Sequence, residues 1–198
     1  MAESEITKRA IADSLKELTK TKPFDKISVK DISEKCGINR QTFYYHFIDK
    51  FDLLEWIYQT ELFDKYMADV DFTIWYDRII LVLEAMKEEK SFYVNTVNHT
   101  ENYIQRYMVE QAQVLFQKAI DKLDEHRKVD ETQRRFIAKF FAYGACGMIF
   151  EWVSNGMEQE PQIVAAHMMK MLITCESAAY LYVTEDVIEG NEKKIDQV

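Results

Sequence analysis

Long polar side chains follow Gly37 closely, and several are of the types that recognise nucleic-acid bases. An arginine such as Arg40 can donate two hydrogen bonds to guanine O6 and N7, and a glutamine such as Gln41 can bind adenine in the same bidentate manner. The first four polar residues after the turn are predicted to meet base edges, and those that follow to donate hydrogen bonds to phosphates. The predicted base-edge residues are Asn39, Arg40, Gln41 and Thr42, and the predicted phosphate donors are Tyr44, Tyr45, His46 and Lys50.

Two short helices are predicted to position these side chains. Ser28 opens the first, with Asp31 three residues later as a variant of the capping box, and Gly37 ends it because glycine adopts the left-handed conformation at little cost. Asn39 is expected to cap a second helix that runs to about Phe47. This arrangement matches the helix-turn-helix unit, whose second helix enters the major groove of DNA. Glycine-linked helix pairs also occur in proteins that do not bind DNA, so the spacing alone leaves ordinary core packing open.

The second helix and the residues after it resemble the signature of the tetracycline-repressor (TetR) family. The resemblance is carried by residues 38–47, INRQTFYYHF, followed by Asp49-Lys50 and Leu53-Leu54; Asn39 stands where the family often has serine. It implies a homodimer that binds a palindromic double-stranded DNA operator and is controlled by a small-molecule effector bound to its C-terminal part. The phosphate contacts that it implies are Ser28, Tyr45, His46 and Lys50. It also implies that Arg40, Gln41 and Tyr44 face the bases or the groove, with Thr42 close by.

The composition predicts an all-α fold. Of the 198 residues 47% are apolar, but only five are Gly and two are Pro, so helix breakers are scarce. The predicted domains are a three-helix DNA-binding head at residues 1–49, a helical effector-binding and dimerisation body at 50–187, and a polar tail at 188–198. The spacing of apolar residues predicts helices at approximately 4–20, 28–36, 39–47, 50–67, 72–90, 91–98, 100–123, 130–155 and 161–184.

The charge is unevenly distributed between the two predicted domains. The chain carries a net charge of −9, but residues 1–50 hold ten Lys and Arg against eight Asp and Glu, which leaves +2 there and −11 in the remainder. A mildly basic end on an acidic protein suits one that presents that end to a polyanion. We find neither an apolar run long enough to span a membrane nor a signal peptide, so a cytoplasmic protein with no membrane partner is expected.

Enzymatic activity, cofactors and metals are not expected from the sequence. The three cysteines are far apart and show no metal-binding spacing, which favours reduced thiols. His99, His126 and His167 lie on different segments without an i,i+4 partner, and no nucleophile or phosphate-loop motif is present.

The last two long helices are predicted to form the dimer interface. Apolar residues cover a wide arc of the helix at 130–155, and small residues on it would let helix backbones approach closely. Two such helices per chain would pair with their symmetry mates in a four-helix interface, although a thick monomer core is the alternative. The predicted interface residues are Phe140, Gly144, Gly147, Trp152, Met168, Met171 and Cys175.

The middle of the body is rich in aromatic residues, and these are the predicted effector site. We expect a small, partly apolar effector to lie among Trp75, Tyr93, Tyr103 and Tyr107 and to act on the DNA-binding head by displacing the helix that starts at Lys50. Ordinary core packing of these aromatics is the alternative. A second alternative is a transcriptional activator whose body binds a partner protein, because residues 144–161 resemble the branch of the family that contains regulators of dihydroxyacetone kinase.

Overall fold

Capping residues set the bounds of the helices at the N-terminal end of the chain. In the computed structural model, the Ser28 and Asp31 side chains each bind the other's backbone N–H, at 3.2 and 2.7 Å, and this closes the predicted capping box. Gly37 ends that helix with φ at 73°, a left-handed conformation that favours glycine. Asp49 accepts hydrogen bonds from the amides of Phe51 and Asp52 at the start of the fourth helix.

The structure describes residues 2–68, 74–123 and 130–184, and every regular element in these ranges is helical. The all-α prediction is therefore confirmed. The helices are α1 (Ala2–Thr19), α2 (Val29–Cys36), α3 (Arg40–His46), α4 (Lys50–Tyr58), α5 (Trp75–Glu88), α6 (Lys90–Asn98), α7 (Tyr103–Leu123), α8 (Glu131–Ser154) and α9 (Pro161–Thr184), with a 3₁₀ turn at Phe24–Lys26 between α1 and α2. The predicted tail at 188–198 lies outside the described residues.

The fourth helix changes its hydrogen-bonding pattern halfway along its predicted length. The sequence predicts one helix over 50–67, but α4 ends at Tyr58 and continues as a π-helical segment at Gln59–Met67. We call Gln59–Met67 the π segment. Leu62 and Met67 on it are buried, so the wider helix turns still place apolar side chains in the core. π-helical turns are rare and occur frequently at functional sites.

The core of the head forms where α1 packs on α2 and α3. Leu15, Ile32 and Phe43, one from each helix, have no exposed surface. The body has its own core, in which α7 packs along α8 and the buried side chains of α4 and α6 meet. Both cores belong to one of the two compact units of the chain, residues 1–159; α9 lies in the other, residues 160–198. The boundary predicted at residue 49 stays a prediction.

Among the described residues, α8 alone is long and apolar enough to cross a membrane. The core helix of a soluble protein meets the same criterion, but only 33% of the apolar window of α8 is buried. Helix α8 therefore leaves part of its apolar surface exposed in the described protomer.

Candidate nucleic-acid interface

Helix α3 is held at its N-terminus by Asn39 and on its inner face by two phenylalanines. The Asn39 Oδ1 atom accepts hydrogen bonds from the amide and the hydroxyl of Thr42, at 2.8 and 3.1 Å. Phe43 and Phe47 are buried, with their ring centroids 5.9 Å apart. These contacts fix which side of α3 faces solvent.

The outer face of α3 carries the side chains that the sequence predicts to read bases. Arg40 and Gln41 are exposed, as are Tyr44 and Tyr45, the last with 83% of its surface accessible. Within the described part of the chain, Arg40 has no ion-pair partner, so its guanidinium is available to a ligand. Four long hydrogen-bonding side chains are thus displayed on one short helix.

Thr42 and His46 are less accessible than these four residues. Both are half-buried, and Thr42 already binds Asn39 in the cap. The His46 ring packs edge-on against Tyr45, with centroids 5.0 Å apart. The geometry favours a supporting position for Asn39 and Thr42 at the start of α3, while their predicted contacts with DNA stay predictions.

Ser28 binds within the protein at the start of α2. Its hydroxyl donates to Asp31 Oδ2 at 2.6 Å, and the Lys22 ammonium lies 2.9 Å from the same oxygen. The hydroxyl of Ser28, its backbone N–H and the Lys22 ammonium together hold the pKa of the Asp31 carboxyl well below its usual range. Ser28 is nevertheless exposed, so the phosphate contact implied by the family resemblance stays a prediction.

Lys50 lies at the start of α4, but its ammonium points into the protein. It donates to the carbonyl oxygens of Phe24, Asp25 and Ile27, at 2.8, 3.2 and 2.8 Å. It also lies 4.6 Å from the centroid of the Phe24 ring. Burial lowers the pKa of Lys50. All three N–H donors thus bind the 3₁₀ turn and the residue after it in this structure, which favours a structural role for Lys50, and the predicted phosphate contact stays a prediction.

The four aromatic residues predicted to hold an effector do not line a common cavity. The Tyr103 hydroxyl donates to Glu55 at 2.5 Å, and the Tyr107 hydroxyl donates to Gln59 at 2.7 Å, so these two tyrosines join α7 to the fourth helix. Burial raises the pKa of Tyr107 to about 12. Tyr93 is buried against the ring of Tyr58. These three tyrosines thus pack between helices in this structure, and their predicted contacts with an effector stay predictions.

Trp75, the fourth of these residues, lines a small apolar cavity elsewhere in the body. The cavity has a volume of about 60 Å³ and lies among the π segment, α5, α7 and α8. Its lining is almost entirely apolar and includes the thiol of Cys146. Burial raises the pKa of that thiol to about 12. The lining residues are Leu62, Phe63, Met67, Trp75, Ile79, Val82, Met108, Ala112, Leu115, Phe116, Ala119, Ala145, Cys146 and Ile149.

Of the four residues predicted to hold an effector, Trp75 alone lines this cavity, and the other lining residues come from four separate helical segments. In the sequence, each of these lining residues occupies an ordinary core position at helical spacing. No local signal marks them, because a cavity depends on how side-chain volumes from different helices add up.

One face of α8 is exposed and apolar. Phe136 and Phe140 have 70% and 64% of their surfaces accessible, and Tyr143 and Met148 are also exposed. Gly144 and Gly147 lie on the same face, and a Cβ carbon added at either would meet no atom within 4 Å in the described protomer. The protomer therefore gives no reason for glycine at these two positions. We call this surface the α8 face. Its residues are Phe136, Phe140, Tyr143, Gly144, Gly147 and Met148.

The remaining predicted interface residues are not all on exposed surfaces. Trp152 is buried within the protomer, and its indole N–H donates to the carbonyl of Gln159 at 3.0 Å, so its place in the interface stays a prediction that this geometry does not favour. On α9, Met171 is exposed and Met168 is buried. The side chain of Cys175 lies outside the described residues.

Family models match both parts of the chain. The model for "Bacterial regulatory proteins, tetR family" matches residues 11–57, which include α2, α3 and the start of α4. A model for "Transcriptional regulator C-terminal region" matches residues 74–174. The first match lies mostly in the predicted head, and the second lies within the predicted body.

Known proteins resemble the chain over most of its length. The HTH-type dhaKLM operon transcriptional activator DhaS of Lactococcus lactis subsp. lactis (strain IL1403) is 28% identical over 166 residues, which cover 81% of this chain and 86% of that protein. A solved structure of the dihydroxyacetone kinase operon activator DhaS aligns with a TM-score of 0.65 at 25% identity, over 85% of this chain and 95% of that one.

A more distant solved structure shows the same fold. NalD, described as the secondary repressor of the MexAB-OprM multidrug efflux pump in Pseudomonas aeruginosa, aligns with a TM-score of 0.59 at 16% identity, over 87% of this chain and 96% of that one. The family matches together span the helix-turn-helix and most of the helical body. The chain therefore belongs to the TetR family of bacterial transcriptional regulators.

Proposed function

We propose that the chain binds a palindromic DNA operator as a homodimer, with α3 of each protomer in the major groove. The observation that carries the proposal is the display of Arg40, Gln41 and Tyr44 on the exposed face of α3, while Phe43 and Phe47 fix its inner face. In helix-turn-helix proteins the N-terminal residues of the second helix meet base edges. We infer that the chain acts in the cytoplasm, as a regulator rather than an enzyme.

The dimer forms through the α8 face of each protomer. Exposed aromatic rings and two glycines on one helix allow a second helix to approach closely, and pairing would remove a large apolar surface from water. Helix α9 carries exposed apolar residues of its own, such as Ile163 and Met171, and these are a second candidate surface for pairing. A two-fold axis would place the two α3 helices roughly one turn of DNA apart, about 34–36 Å, or somewhat more.

Selection from random duplexes, followed by titration of the selected operator, tests the proposal. Arg40→Ala should weaken operator binding by roughly 1–3 kcal/mol and relax the base preference at one position in each half-site. The matched control is Lys35→Ala, which removes an exposed cation from α2 in the same head. Failure of the wild-type chain to enrich any duplex would refute DNA recognition, and equal affinity of the Arg40→Ala and wild-type chains would refute the role of Arg40.

A small apolar ligand in the cavity controls DNA binding. The cavity is less than half the size of the ~150 Å³ apolar cavity that admits benzene in another protein, so a ligand larger than a few atoms must enlarge it. Leu62, Phe63 and Met67 in its wall belong to the π segment, which continues α4. Enlargement would therefore act directly on the helix that begins beside the DNA-binding head.

Native mass spectrometry of the chain purified from its own host tests this control. A bound apolar molecule that is lost from an Ala112→Leu variant, in which the cavity is filled, would support it. Co-purification of a protein in place of a small molecule would favour control by a partner protein.

The target genes are proposed from the relative in Lactococcus lactis. That protein is named as the activator of the dhaKLM operon, and the similarity covers 81% of this chain. We infer that this chain regulates an operon for a dihydroxyacetone kinase. A reporter fused to the promoter of such an operon in the host should change its expression when the gene for this chain is deleted.

A further inference from the structure

Phe24 is bound by two different helices of the body. Its carbonyl oxygen accepts a hydrogen bond from Lys50 at the start of α4, and its amide donates to Asn95 Oδ1 of α6, both at 2.8 Å. Its ring is fully buried. Phe24 begins the 3₁₀ turn that connects α1 to the helix-turn-helix. The turn before the helix-turn-helix is thus held by α6 as well as by α4. The sequence predicts only α4 as the link between the body and the head.

Asn95 uses both ends of its amide group to hold the segment from Thr19 to Phe24. Besides accepting from the Phe24 amide, it donates from Nδ2 to the carbonyl oxygens of Thr19 and Lys22, at 2.7 and 3.0 Å. Thr19 is the last residue of α1, where helix carbonyls lack partners within the helix. A side chain 71 to 76 residues away satisfies these groups, so the contact is tertiary rather than local.

The next residue of α6 contacts the fourth helix. Thr96 is fully buried, and its hydroxyl lies 2.7 Å from the Tyr58 hydroxyl, at the point where α4 gives way to the π segment. One turn of α6 therefore touches both the end of α1, through Asn95, and the end of α4, through Thr96. A shift of α6 relative to α4 would pull on the loop before the helix-turn-helix.

We propose that Asn95 is a positioning residue that fixes the orientation of the DNA-binding head by holding residues 19–24 to α6. With Asn95 in place, the free protein presents its head in few orientations, so binding to two half-sites loses little conformational entropy. Without it, the head samples more orientations, and both heads of a dimer must be ordered when DNA binds. The expected change in operator affinity rests on the proposed function, whereas the expected loosening of residues 19–24 does not.

Asn98 provides a matched control on the same helix. It is exposed, and its Oδ1 atom accepts from the Ser154 hydroxyl of α8 at 3.0 Å, with no hydrogen bond to the head among the described residues. The experiment compares Asn95→Ala with Asn98→Ala, and Asn95→Asp with Asn98→Asp. The two aspartate variants add the same charge at the two positions. Only Asn95→Asp places a carboxylate against two carbonyl oxygens, those of Thr19 and Lys22.

Hydrogen exchange and operator binding are measured on the full-length variants. We expect exchange in peptides spanning residues 19–27 to be about tenfold faster in Asn95→Ala than in Asn98→Ala, with no change in peptides from α7. Operator affinity should fall about fivefold or more in both Asn95 variants, within the range of coupling between sites, and stay unchanged in both Asn98 variants. Affinity for non-specific duplexes, whose binding needs no fixed spacing of the heads, should fall less.

Two results would overturn the proposal. Exchange at residues 19–27 that is equal in the Asn95 and Asn98 variants would show that Asn95 does not hold this segment. Faster exchange with unchanged operator affinity would show that the segment does not orient the head. If the wild-type chain selects no duplex, the proposed function fails, and the exchange comparison still decides whether Asn95 holds the turn. Should Asn95→Asp fail to fold, the comparison of the two alanine variants decides both points.

Discussion

Lys50 donates a hydrogen bond to the carbonyl oxygen of Ile27, with 2.8 Å between Nζ and O. Ile27 is buried and directly precedes the cap of α2, so this contact ties the start of α4 to the start of the helix-turn-helix. The same ammonium binds two more carbonyls of the turn. The Lys50 ammonium thus holds the turn closed. We therefore expect Lys50 to stabilise the fold rather than to bind a phosphate.

Replacing Lys50 with methionine removes the ammonium and keeps an unbranched stem of similar length. We expect the free energy of unfolding to fall by about 1–3 kcal/mol, because carbonyls bound by a charged donor lose their partner. The slope of log affinity for DNA against log salt should not change, since no phosphate contact is lost. Urea denaturation and titrations at several salt concentrations measure the two quantities.

Lys26→Met is the control for this comparison. The Lys26 side chain is exposed, and its one ion-pair partner among the described residues is Asp25, at 3.1 Å, so its loss should barely change stability. A Lys50→Met chain of unchanged stability whose salt slope is smaller by about one would restore the phosphate contact that the family resemblance implies.

The capping box at the start of α2 predicts a dependence of stability on pH. The pKa of Asp31 is lowered in the folded chain, chiefly by the Ser28 hydroxyl and then by the Ser28 amide and Lys22. A carboxyl with a lowered pKa adds stability above its unfolded pKa of about 3.9, and the added stability is lost as the pH falls through the folded value. Asp31→Asn should therefore be less stable than the wild-type chain at pH 7, and the difference should shrink steadily below about pH 4.

Denaturation of both proteins at pH 7, 5, 4 and 3 checks this expectation. Glu34→Gln serves as the control, since Glu34 lies on the same helix and has only a surface pair with Lys30 at 3.6 Å. A difference between wild type and Asp31→Asn that stays constant from pH 7 to pH 3 would mean that the Asp31 carboxylate does not stabilise α2.

The elements of the head could be predicted from the sequence because their signals are local. Ser28 and Asp31 are three residues apart, and Gly37 has the left-handed conformation that the end of α2 requires. Asn39 caps α3 by binding Thr42, again within one turn. Each of these contacts is formed between residues close enough in sequence for a single-chain pattern to reveal them.

The contacts of the body could not be predicted in this way. Tyr103 and Tyr107 bind partners 48 residues earlier in the chain, and no sequence pattern pairs them with Glu55 and Gln59. Exposed tyrosines and tyrosines whose hydroxyls are bound by another helix have the same appearance in sequence. The sequence does not mark Asn95 for the same reason, because the backbone groups that it binds, at residues 19–24, are more than 70 residues away.

Gly147 tests the dimer interface without disturbing the protomer. A leucine there would meet no described atom of its own chain close to its Cβ, and leucine has a higher helix propensity than glycine. The protomer should therefore remain as stable as the wild type or gain stability, by up to about 1 kcal/mol. The same side chain should separate two α8 helices that pack closely, so that the dimer dissociates and operator binding is lost.

Sedimentation velocity at micromolar concentration measures this dissociation. Lys118→Leu, an exposed position on α7, adds the same side chain away from the α8 face and should remain dimeric. A wild-type chain that sediments as a monomer, or a Gly147→Leu chain that remains a dimer and binds the operator normally, would exclude the α8 face as the interface.

Cys146 allows the opening of the apolar cavity to be followed by its reactivity. The thiol is 3% exposed, and burial raises its pKa to about 12. Only the thiolate is alkylated, so at pH 8 a fraction on the order of 10⁻⁴ of the buried thiols is reactive, and access is restricted as well. Cys36 on α2 is half-buried and free, and it serves as the internal reference.

We expect iodoacetamide at pH 8 to label Cys36 at least about a hundred times faster than Cys146, because the Cys146 thiol is almost wholly protonated and is buried. Peptide mass spectrometry follows each cysteine separately, and urea should bring the two rates together. Xenon, or any apolar molecule that enters the cavity, should change the rate at Cys146 and leave Cys36 unaffected, and Ala112→Leu should abolish that change. Equal labelling of the two thiols in the folded chain would show that the cavity is open to solvent, and control by an apolar ligand enclosed within it would then be excluded.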